Sequence, residues 1–174
     1  MKEVKKESHL VYKGKIIEVF KDLVFVDGKT FQRDVVRKQK AVASLIFNED
    51  KTKVLLVSQY RYPIDKETKE LPAGKVEQEE TLAEAMIRET EEETGLVPTK
   101  YEELGTFYTS AGFSDEEITL FVVWEYEESE QKLDDDEKIT LMWKSVHEIM
   151  KETKHFDPKA MLALSMYWSK YGKN

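Results

Sequence analysis

The stretch GKVEQEETLAEAMIRETEEETGL, running from Gly74 to Leu96, decides how this chain is read. Within it, Thr81 and Glu84 hold the capping-box spacing, which satisfies two unpaired backbone donors at a helix start. Gly95 can take the left-handed position that closes a helix, and Pro98 cannot continue one. The spacing therefore predicts a helix over residues 81–94. Eight glutamates lie between Glu77 and Glu93. Glu89, Glu92 and Glu93 stand at i, i+3 and i+4, so they form one patch on one helical face. Like charges placed so cost only about 0.2–0.5 kcal/mol per pair on an exposed helix. Arg88, four residues after Glu84 and four before Glu92, relieves part of that cost. A salt-bridged surface helix fits this spacing, and so does a metal–carboxylate site. A cation would use the cluster better. Mg²⁺ takes oxygen ligands in an octahedron and keeps several waters. Carboxylates one helical turn apart can hold it and leave positions open to phosphate and a nucleophilic water. Gly74 lets the preceding backbone come close and add a carbonyl.

Strand patterns surround this helix. Val24-Phe25-Val26 runs into Asp27-Gly28, a hairpin dipeptide that tolerates positive φ, and Phe31 to Val36 follows. Residues 9–37 thus read as a small antiparallel β unit. Ala41–Phe47 and Lys53–Gln59 are apolar runs separated by the turn cluster Asn48-Glu49-Asp50, and they read as neighbouring core strands. Pro63–Lys69 reads as a polar loop. Leu104–Thr109, Ile118–Tyr126 and Lys138–Trp143 read as further strands, and Ser145–Glu152 as a short helix. Asp157-Pro158 is an N-cap followed by proline at the first helical position, opening a last helix to about Tyr171. The acidic stretches 125–130 and 133–137 read as the solvated surroundings of a hairpin loop.

Composition bounds the function. The 174 residues suit one domain with a small appendage. Thirty-five acidic against 27 basic residues give a net charge of −8. That balance argues against a nonspecific nucleic-acid or membrane-surface binder, either of which carries a basic stripe. Cysteine is absent, which excludes disulfides, thiolate catalysis and Cys-ligated zinc. The start, MKEVKKES, is charged and has no apolar signal-peptide core, and no apolar run reaches the roughly 20 residues that span a bilayer. Cytoplasmic location is the default expectation. His9, His147 and His155 share no metal-ligand spacing and read as surface or packing residues. Trp124, Trp143 and Trp168 read as core or interface, and Phe113 as a loop aromatic packed on its own protein.

The ordered pattern goes further than spacing. Gly74, Glu80, Arg88-Glu89-Thr90, Glu92-Glu93 and Gly95-Leu96 resemble the Nudix box, G-x5-E-x7-R-E-U-x-E-E-x-G-U, where U is a bulky aliphatic. Every charged and glycine position matches. Thr90 departs from the aliphatic position, a packing site, so the change bears on stability more than chemistry. Gln59-Tyr60-Arg61-Tyr62-Pro63, Glu70-Leu71-Pro72-Ala73-Gly74, Arg33-Asp34-Val35-Val36 and Ser110-Ala111-Gly112-Phe113-Ser114-Asp115-Glu116 look like the family's ADP-ribose pyrophosphatase branch. Two departures touch the substrate. Ala111 stands where that branch usually has proline, and Val36-Arg37-Lys38-Gln39-Lys40-Ala41-Val42 replaces its V-x-H-P-G-A-V.

The resemblance implies an α+β fold: a mixed β-sheet sandwiched between α-helices, with a small N-terminal antiparallel β unit. Residues 1–40 would form a dimerising β subdomain and 41–174 the Nudix hydrolase domain. It implies Mg²⁺, with Mn²⁺ as a substitute, held by the Ala73 carbonyl, Glu89, Glu92 and Glu93. It implies Glu116 as the loop glutamate that orients or deprotonates water, with Glu92 and Glu93 beside it in the catalytic set and Arg88 orienting the box glutamates. Arg33, Arg61 and Glu70 would position a small nucleotide-sugar substrate, Arg33 across a homodimer. The implied reaction is hydrolysis of ADP-ribose to AMP and ribose 5-phosphate. The alternatives are a GDP-sugar or dinucleoside polyphosphate hydrolase, or a non-catalytic nucleotide-sensing domain.

Overall fold

The computed structural model describes residues 2–133, 137–152 and 157–172. The acidic run 134–136 and His155 lie outside the described residues. The chain forms two compact units, Met1–Lys40 with Phe107–Ile118, and Ala41–Thr106 with Thr119–Asn174.

The N-terminal unit is an antiparallel sheet in the order β1 (Val4–Lys13), β2 (Glu18–Val26), β3 (Lys29–Arg37). Asp27 (φ 49°) and Gly28 (φ 79°) are both left-handed, the twist that joins two strands through a two-residue turn. Every residue of β1 is exposed. Residues 107–118, which the sequence assigns to the C-terminal domain, belong with this unit. The Val36 N–H donates to the Phe113 carbonyl at 2.7 Å, and the Asp115 N–H donates to the Val36 carbonyl at 3.2 Å. The cause is the free edge of β3, whose unpaired groups the loop satisfies.

In the C-terminal unit one sheet has the order β7 (Ala73–Lys75), β4 (Ala41–Ile46), β9 (Glu117–Glu128), β8 (Leu96–Tyr108). A second has the order β10 (Ile139–Ser145), β5 (Lys53–Arg61), β6 (Lys66–Glu70). Three sequence expectations are corrected here. The runs β4 and β5 lie in different sheets, and an isolated bridge, Phe47↔Val54, joins the end of one to the start of the other. The strand after the acidic segment, β10, pairs antiparallel with β5 and lies in a different sheet from β9, so these two described strands are not hairpin partners. The segment Pro63–Lys69 is not a loop. A 3-10 turn (Tyr62–Ile64) leads into β6, whose charged sequence hides a strand because its inward residues Thr68 and Glu70 are polar and partnered.

Among the described residues, three helices complete the α+β architecture: α1 (Leu82–Thr94), α2 (Val146–Lys151) and α3 (Pro158–Tyr171). Successive residues of β4 point to opposite faces. Val42 and Ile46 join a buried cluster with Ala85 and Met86 of α1. Phe47, the residue after β4, packs its ring at a tilt against Tyr167 of α3, centroids 4.6 Å apart. The strand is thereby covered by α1 on one face and α3 on the other. Trp124 meets Tyr171 edge to face, whereas Trp143, Trp168 and Phe113 are exposed. Among the described residues, no helix is long and apolar enough to cross a membrane.

Thr90 finds its explanation in this packing. It is buried at 1% exposure, as is Ser44 on β4, and their hydroxyl oxygens lie 2.7 Å apart. The hydroxyl on the helix is answered by a hydroxyl on the strand. Thr90→Val leaves Ser44 buried without that partner, and the expected cost is about 1–3 kcal/mol in urea unfolding. Adding Ser44→Ala to Thr90→Val should recover most of the loss. Equal instability of the double and single variants would contradict the pairing.

Candidate active site

The helix α1 is fixed at both ends. Thr81 and Glu84 form both halves of the capping box, and Gly95 (φ 69°) donates its N–H to the Glu91 carbonyl at 2.8 Å. The segment after β9 adds a brace at the same end. Gln131 Nε2 donates to the Glu93 carbonyl at 2.6 Å, and the Lys132 N–H to the Glu92 carbonyl at 2.9 Å. Orphan carbonyls of the last turn are thus satisfied, and the glutamate face is held in place.

On that face, Arg88 is the hub. Its Nε and Nη2 donate to Glu80 at 2.9 Å each, and Nη2 donates to the Lys75 carbonyl at 2.9 Å. Its Nη1 reaches Glu89 at 2.9 Å and Glu92 at 3.0 Å. The Glu80 bonds are the main cause that raises the Arg88 pKa, so the guanidinium stays charged. Glu89 lies against the backbone of β7. A Cβ built on Gly74 would fall 1.8 Å from the Glu89 carboxyl carbon. Glu93 is the buried member, 6% exposed, and accepts the Ala73 N–H at 2.9 Å. Burial pushes its carboxyl up to about 8, against the lowering effect of the Ala73 N–H and with help from Glu89. Burial also raises Glu89.

Among the described residues, no group of three or more His, Asp or Glu side chains is gathered in a way that could hold a metal ion. The residues nevertheless fit a hard divalent cation in kind. Glu89, Glu93 and the Ala73 backbone offer oxygen donors only. The contact across Gly74 leaves no room for a side chain where Glu89 meets the loop. The two raised carboxyls are groups that a cation would return to the charged form.

Arg61 and Glu70 stand on neighbouring antiparallel strands, β5 and β6. Arg61 Nε and Nη2 bind the two oxygens of Glu70 at 2.7 and 2.6 Å. The Thr68 hydroxyl also donates to Glu70, and Lys159, at the start of α3, brings its ammonium to 3.8 Å. Burial would raise the Glu70 carboxyl, but Arg61 and Thr68 outweigh it and hold the group down to about 2. An acid with a lowered folded pKa stabilises the fold above its unfolded value of 4.5, and the contribution fades as pH falls toward 2. As pH falls between those values the fold should lose on the order of 1–3 kcal/mol of this pair's contribution, discounted for the half-exposed Arg61. The check is the urea midpoint followed down in pH. Glu70→Gln should lose that part of the acid dependence, and an unchanged slope would contradict it.

Arg33 and Glu116 belong to the N-terminal unit. Arg33 pairs with Glu3 through Nη2 at 2.5 Å and Nε at 3.1 Å, and donates Nη1 to the Gln32 carbonyl. Glu116 is ion-paired with Lys38 and accepts the Thr109 hydroxyl. Arg61, Glu70, Ala73, Arg88, Glu89, Glu92 and Glu93 belong to the C-terminal unit. His9 and His147 are exposed, His9 beside Glu7.

Sequence reasoning passed over several supporting residues. Ser44 was legible as a lone hydroxyl within an apolar run, and Lys38 as part of the basic run 37–40. Thr68, Gln131 and Lys159 carry no local signal, because each acts on a partner remote in sequence or hidden by an unexpected strand.

The fold matches a crystal structure of an ADP compounds hydrolase at a TM-score of 0.83, over 100% of this chain and 98% of that one, at 14% identity. It is a Nudix-type α+β fold. Residues 37–164 match the NUDIX domain model, and the chain belongs to the Nudix hydrolase family. It is 35% identical to the ADP-ribose pyrophosphatase of Bacillus subtilis (strain 168) over 153 residues, 86% of this chain and 81% of that protein. It is 36% identical to the methanol dehydrogenase activator of Bacillus methanolicus over 170 residues, 94% of this chain and 90% of that protein.

Proposed function

We propose that this Nudix hydrolase cleaves the pyrophosphate bond of a nucleotide sugar, with ADP-ribose giving AMP and ribose 5-phosphate. The observation that carries the chemistry is the buried Glu93 carboxyl on the Ala73 N–H, with Glu89 seated against Gly74. The Bacillus subtilis relative supports the substrate. Glu89, Glu93 and the Ala73 carbonyl would hold Mg²⁺, for which Mn²⁺ could substitute, with Glu92 beside them. Bound there, the cation neutralises phosphate charge and lowers the pKa of water. Water attacks one phosphorus and the bridging P–O bond breaks. Glu116 takes the proton from water, and the leaving phosphate keeps the bond's electron pair. Arg61, held open by its fork on Glu70, gives charge-assisted hydrogen bonds to phosphate. Arg88 keeps the box glutamates oriented.

The N-terminal unit supports a homodimer. Its sheet exposes Val4, Tyr12 and Phe25 on one face and Leu10 and Phe31 on the other, apolar surface that a partner would cover. Arg33, on the same sheet, would then reach the substrate across the dimer.

The test is a substrate panel with Mg²⁺ and products identified by mass: ADP-ribose, GDP-mannose, NADH, diadenosine polyphosphates and nucleoside triphosphates. AMP and ribose 5-phosphate, chiefly from ADP-ribose, would support the reading despite Ala111. Preference for another member keeps the mechanism and moves the substrate. No turnover with either cation points to a nucleotide sensor. A second reading rests on the Bacillus methanolicus relative: the chain raises the activity of a dehydrogenase. Adding it to a methanol dehydrogenase assay, intact and as Glu93→Gln, tests that and shows whether hydrolysis is required.

A further inference from the structure

The basic run 37–40 does specific work in the N-terminal unit. Lys38 Nζ pairs with Glu116 Oε1, and neither side chain is more than a third exposed. The Thr109 hydroxyl donates to the other oxygen, Oε2. Lys40 Nζ pairs with the next residue, Glu117, at 2.9 Å, and the Tyr108 hydroxyl donates to the same carboxylate at 2.9 Å. Main-chain bonds fasten the two segments together. The Lys38 N–H donates to Asp115 Oδ1 at 3.1 Å, and the 36–113 and 36–115 bonds flank it. Both oxygens of Glu116 therefore accept bonds from this chain, one of them from a full positive charge.

A carboxylate so engaged is a poor acceptor for a proton from water. The hydrogen bonds must be given up before the oxygens serve another partner. We propose that Lys38 is a positioning residue that holds Glu116 in a withheld, resting state, and that the Lys38–Glu116 pair opens in each turnover. This rests on the reading that Glu116 takes part in hydrolysis. Lys40 and Glu117 anchor the same loop without competing for the reacting group.

The experiment compares the intact chain, Lys38→Met, Lys38→Arg and Lys40→Met in the Mg²⁺ hydrolysis assay at low and high salt. At low ionic strength, Lys38→Met should raise kcat about threefold to tenfold, with a smaller change in KM. Lys38→Arg should restore the resting rate, and Lys40→Met should leave kcat unchanged. Salt weakens exposed and partly exposed pairs, so added salt should raise kcat of the intact chain relative to Lys38→Met and close the gap. Amide exchange over residues 110–117 should quicken in Lys38→Met. A fall in kcat for Lys38→Met, or no change in either kcat or exchange, overturns the proposal. Full activity in Glu116→Gln overturns the underlying role of Glu116 and the proposal with it, so the two failures are told apart.

Discussion

Glu93→Gln is expected to reduce Mg²⁺-dependent turnover by about a thousandfold or more. Cation catalysis is worth several kcal/mol, and about 4 kcal/mol corresponds to ~10³ in rate. The amide keeps the shape of the side chain and can still meet the Ala73 N–H. It removes the charge that would hold the cation. The fold should report the same event. At Mg²⁺ about a hundredfold above its Kd, the intact chain gains about 2.7 kcal/mol, and the variant should lose most of that gain. Without cation the order reverses. Burial raises the Glu93 pKa to about 8 from 4.5. A carboxyl raised in the fold contributes stability that is fully present below its unfolded value and is lost as pH rises through its folded value. In chelator, the intact chain should therefore weaken between pH 4.5 and pH 8, and Glu93→Gln should weaken less, keeping only the part that the raised Glu89 carboxyl contributes. Urea melts at pH 5 and pH 8, with chelator or with Mg²⁺, measure all of this. Undiminished turnover in the variant would remove Glu93 from the site.

The parts of the fold that were legible in the sequence share a cause. The helix α1 announces itself because its punctuation is local: Thr81, Glu84 and Gly95 act on backbone groups within one turn. The Asp27-Gly28 turn is local too, since both residues must be left-handed. What escaped is non-local. The charged β6 is a strand because Arg61, on β5, neutralises the buried Glu70. Without that partner, a segment reading Lys-Glu-Thr-Lys-Glu has no apolar face to bury. Strand β10 pairs with β5, more than seventy residues earlier in the chain, and no turn signal records such a pairing. The site divides the same way. Glu89, Glu92 and Glu93 are one helix face, so their grouping follows from spacing. The buried state of Glu93 and the Lys38 contact with Glu116 follow only from tertiary packing. Thr90 is the informative exception. It breaks the local pattern of the box, and the break is answered by Ser44 on a strand packed against it.

Gly74→Ala is expected to leave the fold nearly as stable as before and to weaken cation binding about ten- to a hundredfold, the range seen when a ligand loses its support. The two effects separate because of what the added methyl would meet. The atom in its way is the Glu89 carboxyl carbon, 1.8 Å from the ideal Cβ. That is the far end of a flexible side chain, which can swing aside at little cost. Gly74 is not in the left-handed region, so alanine adopts its backbone without strain. The smaller freedom of the unfolded chain then returns about 0.4–1 kcal/mol. What cannot be kept is the Glu89 carboxylate where it now lies, against the loop that carries the Ala73 carbonyl. Glu89→Gln is the companion variant, since it leaves the space open and removes the charge. If Glu89 is a ligand, both variants lose Mg²⁺ affinity, measured by calorimetry or by the Mg²⁺ dependence of the urea midpoint, while their cation-free stabilities stay within about 1 kcal/mol of the parent. Unchanged Mg²⁺ affinity in both would take Glu89 out of the metal set. Collapse of the fold in Gly74→Ala alone would show that the glycine serves the backbone of β7 and not the carboxylate beside it.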